Sequence, residues 1–198
     1  MRERPSLAPE DILVRMQPTP NPYALKFICN LPFKTEGKAT FSSRYECQSM
    51  PLCQSLFDIA GVKQLHLFQN TLTISHAGEL TEETMEEQVE SVVKTRMPVH
   101  DPTFITEDEK EKQSQSKDRS NLSPEMQKIE EILDRTIRPG LRADGGDLDV
   151  ISYEDNTLKI LYQGACGGCP SAMMGTLDAI QGILQQEMQN PEIKVRPV

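Results

Sequence analysis

Apolar positions recur along this chain with two periods, and each period predicts a different element. Alternation marks strands, and a spacing of three to four marks one face of a helix. Residues 12–17 and 24–29 predict two strands. Between them Pro18, Pro20 and Pro22 remove donors and hold the chain extended or turning. Residues 31–43 are turn-rich, with extended structure expected only around Ala39-Thr40-Phe41. Ser49 as cap and Pro51 in the first turn predict a short helix with Leu52, Leu56, Phe57 and Ile59 inward. Residues 62–68 and 72–75 flank Gln69-Asn70-Thr71 as a hairpin. His66, alternating with leucines, is expected in the sheet, and His76 in a loop. Thr81 opens a helix through Lys94, with Met85, Val89, Val92 and Val93 on its apolar side.

The pattern then breaks. Residues 99–122 hold mixed charge and a Ser/Gln/Lys stretch, with almost nothing to bury, and predict a flexible linker. A charged, solvated helix over 106–117 is the alternative. Beyond it Ser123-Pro124-Glu125 supplies a cap, a first-turn proline and an early acid. Met126, Ile129, Leu133 and Ile137 form one helical stripe, which Pro139-Gly140 is expected to end. Residues 144–147 turn into a strand over 148–153. Glu154-Asp155-Asn156 turns into a second strand over 158–163, whose Leu158, Ile160 and Tyr162 share one face. Pro170 opens a helix with Met173, Leu177, Ile180, Leu184 and Met188 inward, and Ile193 and Val195 suggest a short closing strand. The fold class is therefore α+β: a loose N-terminus (1–11), a small α+β domain (12–98), a linker (99–122) and an α-β-β-α-β domain (123–198).

Charge narrows the partners. The 198 residues carry a formal net charge of −9, most densely in the C-terminal domain. A phosphate backbone would be repelled, so nucleic-acid binding has no electrostatic basis. No apolar run approaches the roughly 20 residues that span a bilayer, so no membrane partner is expected. The first ten residues lack the apolar stretch of a secretory signal and are too short and too acidic for a persuasive presequence. The expected compartment is the cytoplasm, as in bacteria, or the mitochondrial matrix if the chain is a processed form.

Five cysteines without a secretory signal argue for a reducing compartment and for metal or redox use of Cys166 and Cys169, not for a disulfide framework. Cys166-Gly167-Gly168-Cys169 lies between a strand and the helix that Pro170 opens. The helix N-terminus is expected to favour thiolate, the glycines to free the backbone, and both sulfurs to face outward. The pair offers only two metal ligands, whereas a tetrahedral zinc or an iron–sulfur cluster usually takes four. No other Cys, and no His, follows His100. The remaining ligands would come from a second chain, from Cys29, Cys47 or Cys53, or from exogenous thiols. A two-fold dimer sharing one cluster satisfies the count most simply. Ligands so few can be exchanged one at a time, which suits carriage and hand-over, not enzymatic turnover.

The C-terminal domain resembles the Nfu-type iron–sulfur scaffold domain, the NifU C-terminal module. The matching residues are Ile137-Arg138-Pro139, Asp144-Gly145-Gly146-Asp147 and Gly164-Ala165-Cys166-Gly167-Gly168-Cys169-Pro170-Ser171. The first half resembles the Nfu N-terminal domain through Thr19-Pro20-Asn21-Pro22-Tyr23-Ala24-Leu25-Lys26-Phe27 and Ile59-Ala60-Gly61-Val62-Lys63. The resemblance implies a carrier that binds a [4Fe-4S] cluster between two subunits, takes it from upstream assembly machinery and delivers it to apo iron–sulfur proteins. It implies Cys166 and Cys169 as the ligands.

Rival readings stand beside this one. A thiol-disulfide oxidoreductase would use the same pair, although Pro170 directly after it and two glycines within it make a loose turn. A structural zinc site needs partners that the domain lacks. Asp144 and Asp147 read as turn and capping residues ahead of acid/base or ligand roles. Cys29, Cys47 and Cys53 read as small apolar residues or free thiols.

Overall fold

The computed structural model describes residues 8–106, 109, 123–167 and 170–198, with the side chains of residues 170–174 excepted. The chain forms two compact units, Met1–Phe104 and Ile105–Val198.

In the first unit five strands form one antiparallel sheet: β1 (Val14–Pro18), β2 (Ala24–Cys29), β3 (Lys34–Phe41), β4 (Val62–Gln69) and β5 (Thr71–His76), ordered β1-β2-β5-β4-β3. Two helices, α1 (Pro51–Phe57) and α2 (Glu82–Arg96), accompany it. Thr81 caps α2 as expected, its hydroxyl accepting from the Thr84 N–H at 3.2 Å. Met85, Val89 and Val93 are fully buried in the same core as Phe27, Phe33, Leu65, Leu67, Leu72 and Ile74. Burying each such side chain contributes roughly 1.5–3 kcal/mol.

Four expectations are corrected here. The turn-rich stretch is an eight-residue strand, β3, whose register with β4 shifts between Lys34 and Lys38; a bulge hides the alternation that would have announced it. Met50, not Ser49, caps α1, and it does so without a side-chain hydrogen bond. His76 is the last residue of β5 and buried, not a loop residue. The residues just after α2 pack on this unit although they look like linker. His100 is buried and donates from Nε2 to the Phe33 carbonyl at 2.7 Å. Buried Lys34 donates from Nζ to the Phe104 carbonyl at 2.8 Å and stands 4.3 Å from the Phe104 ring centroid. Further on, Thr106 and Glu109 exchange the reciprocal hydrogen bonds of a capping box. The rest of the expected linker lies outside the described residues.

The second unit contains α3 (Pro124–Thr136), α4 (Arg138–Ala143), β6 (Gly146–Glu154), β7 (Thr157–Gly164), α5 (Pro170–Glu187) and β8 (Lys194–Pro197). β6 and β7 form a hairpin across Asp155 and Asn156, both at positive φ, and β8 joins β7 in parallel after the α5 crossover. Ser123 caps α3 as expected. Ile129, Leu133, Leu148, Leu158, Ile160, Tyr162, Ile180 and Leu184 form one core, with Leu177 and Met188 packed against it. Met173, expected in the same stripe, lies outside the described side chains.

The correction here is α4. Pro139 and Gly140 were expected to end a helix, yet they lie in the first turn of a new one, where a proline's missing N–H has no partner to lose. The unit is thus α-α-β-β-α-β, still α+β.

Candidate functional site

β7 ends at Gly164, whose φ of 63° turns the chain out of the sheet. The Ala165 N–H donates to the Gly145 carbonyl at 3.1 Å, and the Gly167 N–H donates to the Gly164 carbonyl at 3.0 Å. The first bond ties the Cys166 turn to the 144–147 turn that opens β6, and the second closes the Cys166 turn on itself. Gly145 needs glycine for its φ of 81°. Gly146 needs it for space, because a Cβ there would collide with the Cys166 sulfur.

Cys166 is half-buried and packs against the second core, so it faces outward less than expected. Its thiol is pushed up to about 11, first by burial and then by the charges of Asp144 and Asp147. The expected thiolate-favouring helix mouth is overruled at this position, because the turn leaves the sulfur against the core and beside two carboxylates. Cys169 lies outside the described residues. Tyr162, buried near Cys166, has a hydroxyl without a hydrogen-bond partner among the described residues.

Beneath the turn lies a charge network that the sequence pattern did not announce. Asp147 is fully buried. Its carboxylate accepts from Arg142 Nε at 3.2 Å and from its neighbour's N–H, that of Leu148, at 2.8 Å, and it lies 3.8 Å from Arg138 Nε. Arg138, itself buried, pairs with Glu130 and Asp134, each at 2.7 Å. The network joins α3, α4 and the start of β6. Asp147 is therefore an ion-pair anchor that also accepts a backbone N–H at the start of β6. Its one local trace in the sequence is the i, i+4 spacing of Asp134 and Arg138, which pair across the junction of α3 and α4. Asp144 is exposed.

The other thiols lie apart from any surface. Cys29 is 1% exposed, and Cys47 and Cys53 are both at 0%, all within the core of the first unit. Among the described residues no group of three or more His, Cys, Asp or Glu side chains could hold a metal ion. No helix among them is long and apolar enough to cross a membrane.

The two units thus define a two-domain α+β protein whose second unit presents a thiol on a glycine turn. Residues 14–100 match the family model described as scaffold protein Nfu/NifU N terminal, and residues 129–196 match the NifU-like domain. The chain belongs to the Nfu/NifU family. It is 28% identical over 178 residues to NifU-like protein 5, mitochondrial, of Arabidopsis thaliana, covering 87% of this chain and 63% of that protein. It is 29% identical over 181 residues to the NFU1 iron-sulfur cluster scaffold homolog, mitochondrial, of Drosophila persimilis, covering 91% and 63%. The chain spans about three fifths of the length of these curated relatives. A solution structure of a NifU-like protein from Saccharomyces cerevisiae matches 48% of this chain and 86% of its own, at 19% identity and a TM-score of 0.43.

Proposed function

We propose that this protein is an iron–sulfur cluster carrier that holds a [4Fe-4S] cluster through Cys166 and Cys169 of two subunits and passes it to apo-proteins. The observation that carries this reading is the isolation of the thiol turn. Cys166 sits on a half-buried glycine turn of a NifU-like unit that has no cysteine besides Cys169 and no histidine. Cys29, Cys47 and Cys53 are sealed in another core, so the most economical source of further thiolates is a second copy of the turn. The relatives' names, which specify a cluster scaffold, support the same reading.

The state of the Cys166 thiol fits cargo handling better than redox turnover. A thiol-disulfide oxidoreductase attacks as thiolate, and a sulfur at about 11 supplies little thiolate at neutral pH. An arriving iron centre displaces that proton, so loading is coupled to proton release. When the cluster leaves, the Cys166 sulfur can reprotonate and become a poor ligand, which favours hand-over. In this reading upstream assembly machinery loads the carrier and apo iron–sulfur proteins unload it. Residues 12–104 serve recognition or assembly, residues 105–122 join the two units, and residues 123–198 hold the cargo. The mitochondrion is the compartment that the relatives' names favour over the cytoplasm.

The test is anaerobic loading of the wild type, Cys166→Ser and Cys169→Ser with iron and sulfide. Each is then mixed with an apo-aconitase, and client activity is measured. The wild type should take up iron and activate the client, and either variant should lose both properties. A Cys166→Ser protein that loads and transfers fully would sink the proposal.

A further inference from the structure

The sheet of the second unit has one face in the core. Leu158, Ile160 and Val195 belong to that core, and alternation sends Lys159, Leu161, Lys194 and Arg196 to the opposite face, where all four are exposed. The parallel register of β7 and β8 puts Lys159 directly opposite Arg196, with Lys194 opposite Thr157 on the same face. Continued past Ile160 and Pro197, that register brings Val198 opposite Leu161, and the Val198 N–H donates to the Ile160 carbonyl at 3.0 Å. On the other side of β7 the ladder with β6 shifts between Val150 and Ser152. The extra residue there, Ile151, lies outside the core cluster. Ile151 is 53% exposed, Leu161 38% and Val198 61%. The open face is therefore an apolar strip bordered by Lys159, Lys194 and Arg196.

This placement of charge does not serve the fold. Adjacent strands lie about 4.8 Å apart, and two cations held side by side at that spacing repel. The unit is rich in carboxylates, and its other arginines are paired: Arg135 with Glu187, Arg138 with Glu130 and Asp134, Arg142 with Asp147. Among the described residues Lys159, Lys194 and Arg196 have no ion pair. The carboxylates of this face stand at its margins. Glu154 is opposite Thr157, and Asp149, opposite Leu161, accepts from Gln163 Nε2 at 3.0 Å. A charged edge with a proline discourages strand addition, which accounts for Lys194, Arg196 and Pro197 on the edge strand β8. It does not account for Lys159, because β7 has a strand on each side.

We propose that this open face docks an acidic segment of a partner protein. The segment sets a large apolar side chain on Ile151 and Leu161 and its carboxylates against Lys159, Arg196 and Lys194. A carboxylate placed between Lys159 and Arg196 removes a repulsion that the fold leaves in place, so the charges are complementary to an acidic partner and to no basic one. A protein segment fits this face better than an anionic lipid surface. A plane of phosphates would also meet Asp149 and Glu154 at the margins, whereas a segment one strand or helix wide passes between them. Leu161 lies three residues before Gly164, about 10 Å along β7, so a docked partner stands beside the Cys166 turn. The inference rests on the sheet alone and is independent of cluster carriage.

The test titrates full-length, cluster-free, nitrogen-15-labelled protein with a blocked synthetic peptide, Glu-Glu-Leu-Phe-Glu-Asp, and follows the backbone amides. The controls are the same peptide with lysine for every acid, the same peptide with alanine for leucine and phenylalanine, and vesicles of phosphatidylserine and phosphatidylcholine. The proposal expects saturable shifts centred on Ile151, Lys159, Leu161, Lys194 and Arg196 with the acidic, apolar peptide, and weaker binding at raised salt. The double change Lys159→Glu and Arg196→Glu should weaken binding roughly tenfold, and Leu161→Ser should weaken it as well. All three positions are exposed, and the spectra themselves show that each variant is folded. No shifts at millimolar peptide, shifts centred elsewhere, equal binding of the lysine peptide or undiminished binding in the double variant overturns the proposal. Vesicle binding through this face without peptide binding overturns it too.

Discussion

Gly146 and Cys166 face one another so closely that the glycine's missing side chain is the space the sulfur fills. A Cβ built on Gly146 meets the Cys166 sulfur head-on and comes within 3.0 Å of its Cβ and of its backbone nitrogen. The turn that carries the thiol is therefore shaped from below by β6, and the Asp144-Gly145-Gly146-Asp147 motif acts on the cysteine by contact.

Gly146→Ala should displace the Cys166 sulfur and destabilise the second unit by about 1–3 kcal/mol, the usual cost of overpacking. Gly140 in α4 is the matched control. A Cβ there meets nothing within 4 Å, so Gly140→Ala should stabilise the unit by roughly 0.5–1 kcal/mol. Urea midpoints of the two variants should move in opposite directions, and only Gly146→Ala should lower the iron taken up on reconstitution. Equal behaviour of the two would refute the contact's importance.

Asp147→Asn removes the buried charge that faces Arg142 and Arg138. It should cost about 2 kcal/mol, because hydrogen bonds to charged groups are lost and Arg138 keeps only Glu130 and Asp134. The same change removes one of the two carboxylates that hold the Cys166 proton on, so that thiol should become more acidic. The check is the pH dependence of Cys166 alkylation in cluster-free protein. Its midpoint, near 11 in the wild type, should move down in Asp147→Asn.

His76 gives the first unit an acid-sensitive point. The Gly78 N–H donates to its Nδ1 at 3.1 Å, so that nitrogen accepts and cannot also carry a proton. Burial holds the imidazole below its ordinary value of 6.5, with the charge of Glu82 opposing. Below pH 6.5 the unfolded chain takes up a proton that the folded unit resists until its own lower pKa is reached. The unfolded state then binds more protons, so stability is present above pH 6.5 and is lost as pH falls through the depressed value. In a urea titration at several pH values, His76→Gln, whose amide oxygen can still accept from Gly78, should show a flatter acid slope than the wild type. An unchanged slope would remove His76 from the account.

The fold was legible wherever pattern and burial coincided. The strand at 24–29, the α2 stripe and the Leu158, Ile160, Tyr162 face all agree with the structure, because each has one face in a core. β3 was hidden because Glu36, Gly37 and Lys38 interrupt its alternation at the register shift. The α4 helix was hidden because a proline both starts and stops helices, and only the residues after it distinguish the two. The buried docking of His100 and Lys34 depends on contacts between residues 67 and 70 positions apart, which no local pattern encodes. At the candidate site the position of the thiol turn was legible, but its electrostatics were not. The sequence suggests a helix mouth that acidifies Cys166, whereas folding buries that sulfur beside two carboxylates brought by another turn.

The central claim is that one thiol turn is half of a cluster site. The most direct measurement combines iron, sulfide and molar mass on the same anaerobically reconstituted sample, with light scattering giving the mass. The account predicts that the loaded fraction is a dimer with about four irons per two chains, and that chelating the iron removes the cluster-dependent association. A loaded monomer holding a complete cluster on one pair of cysteines, or a dimer with one full cluster in each chain, would contradict it.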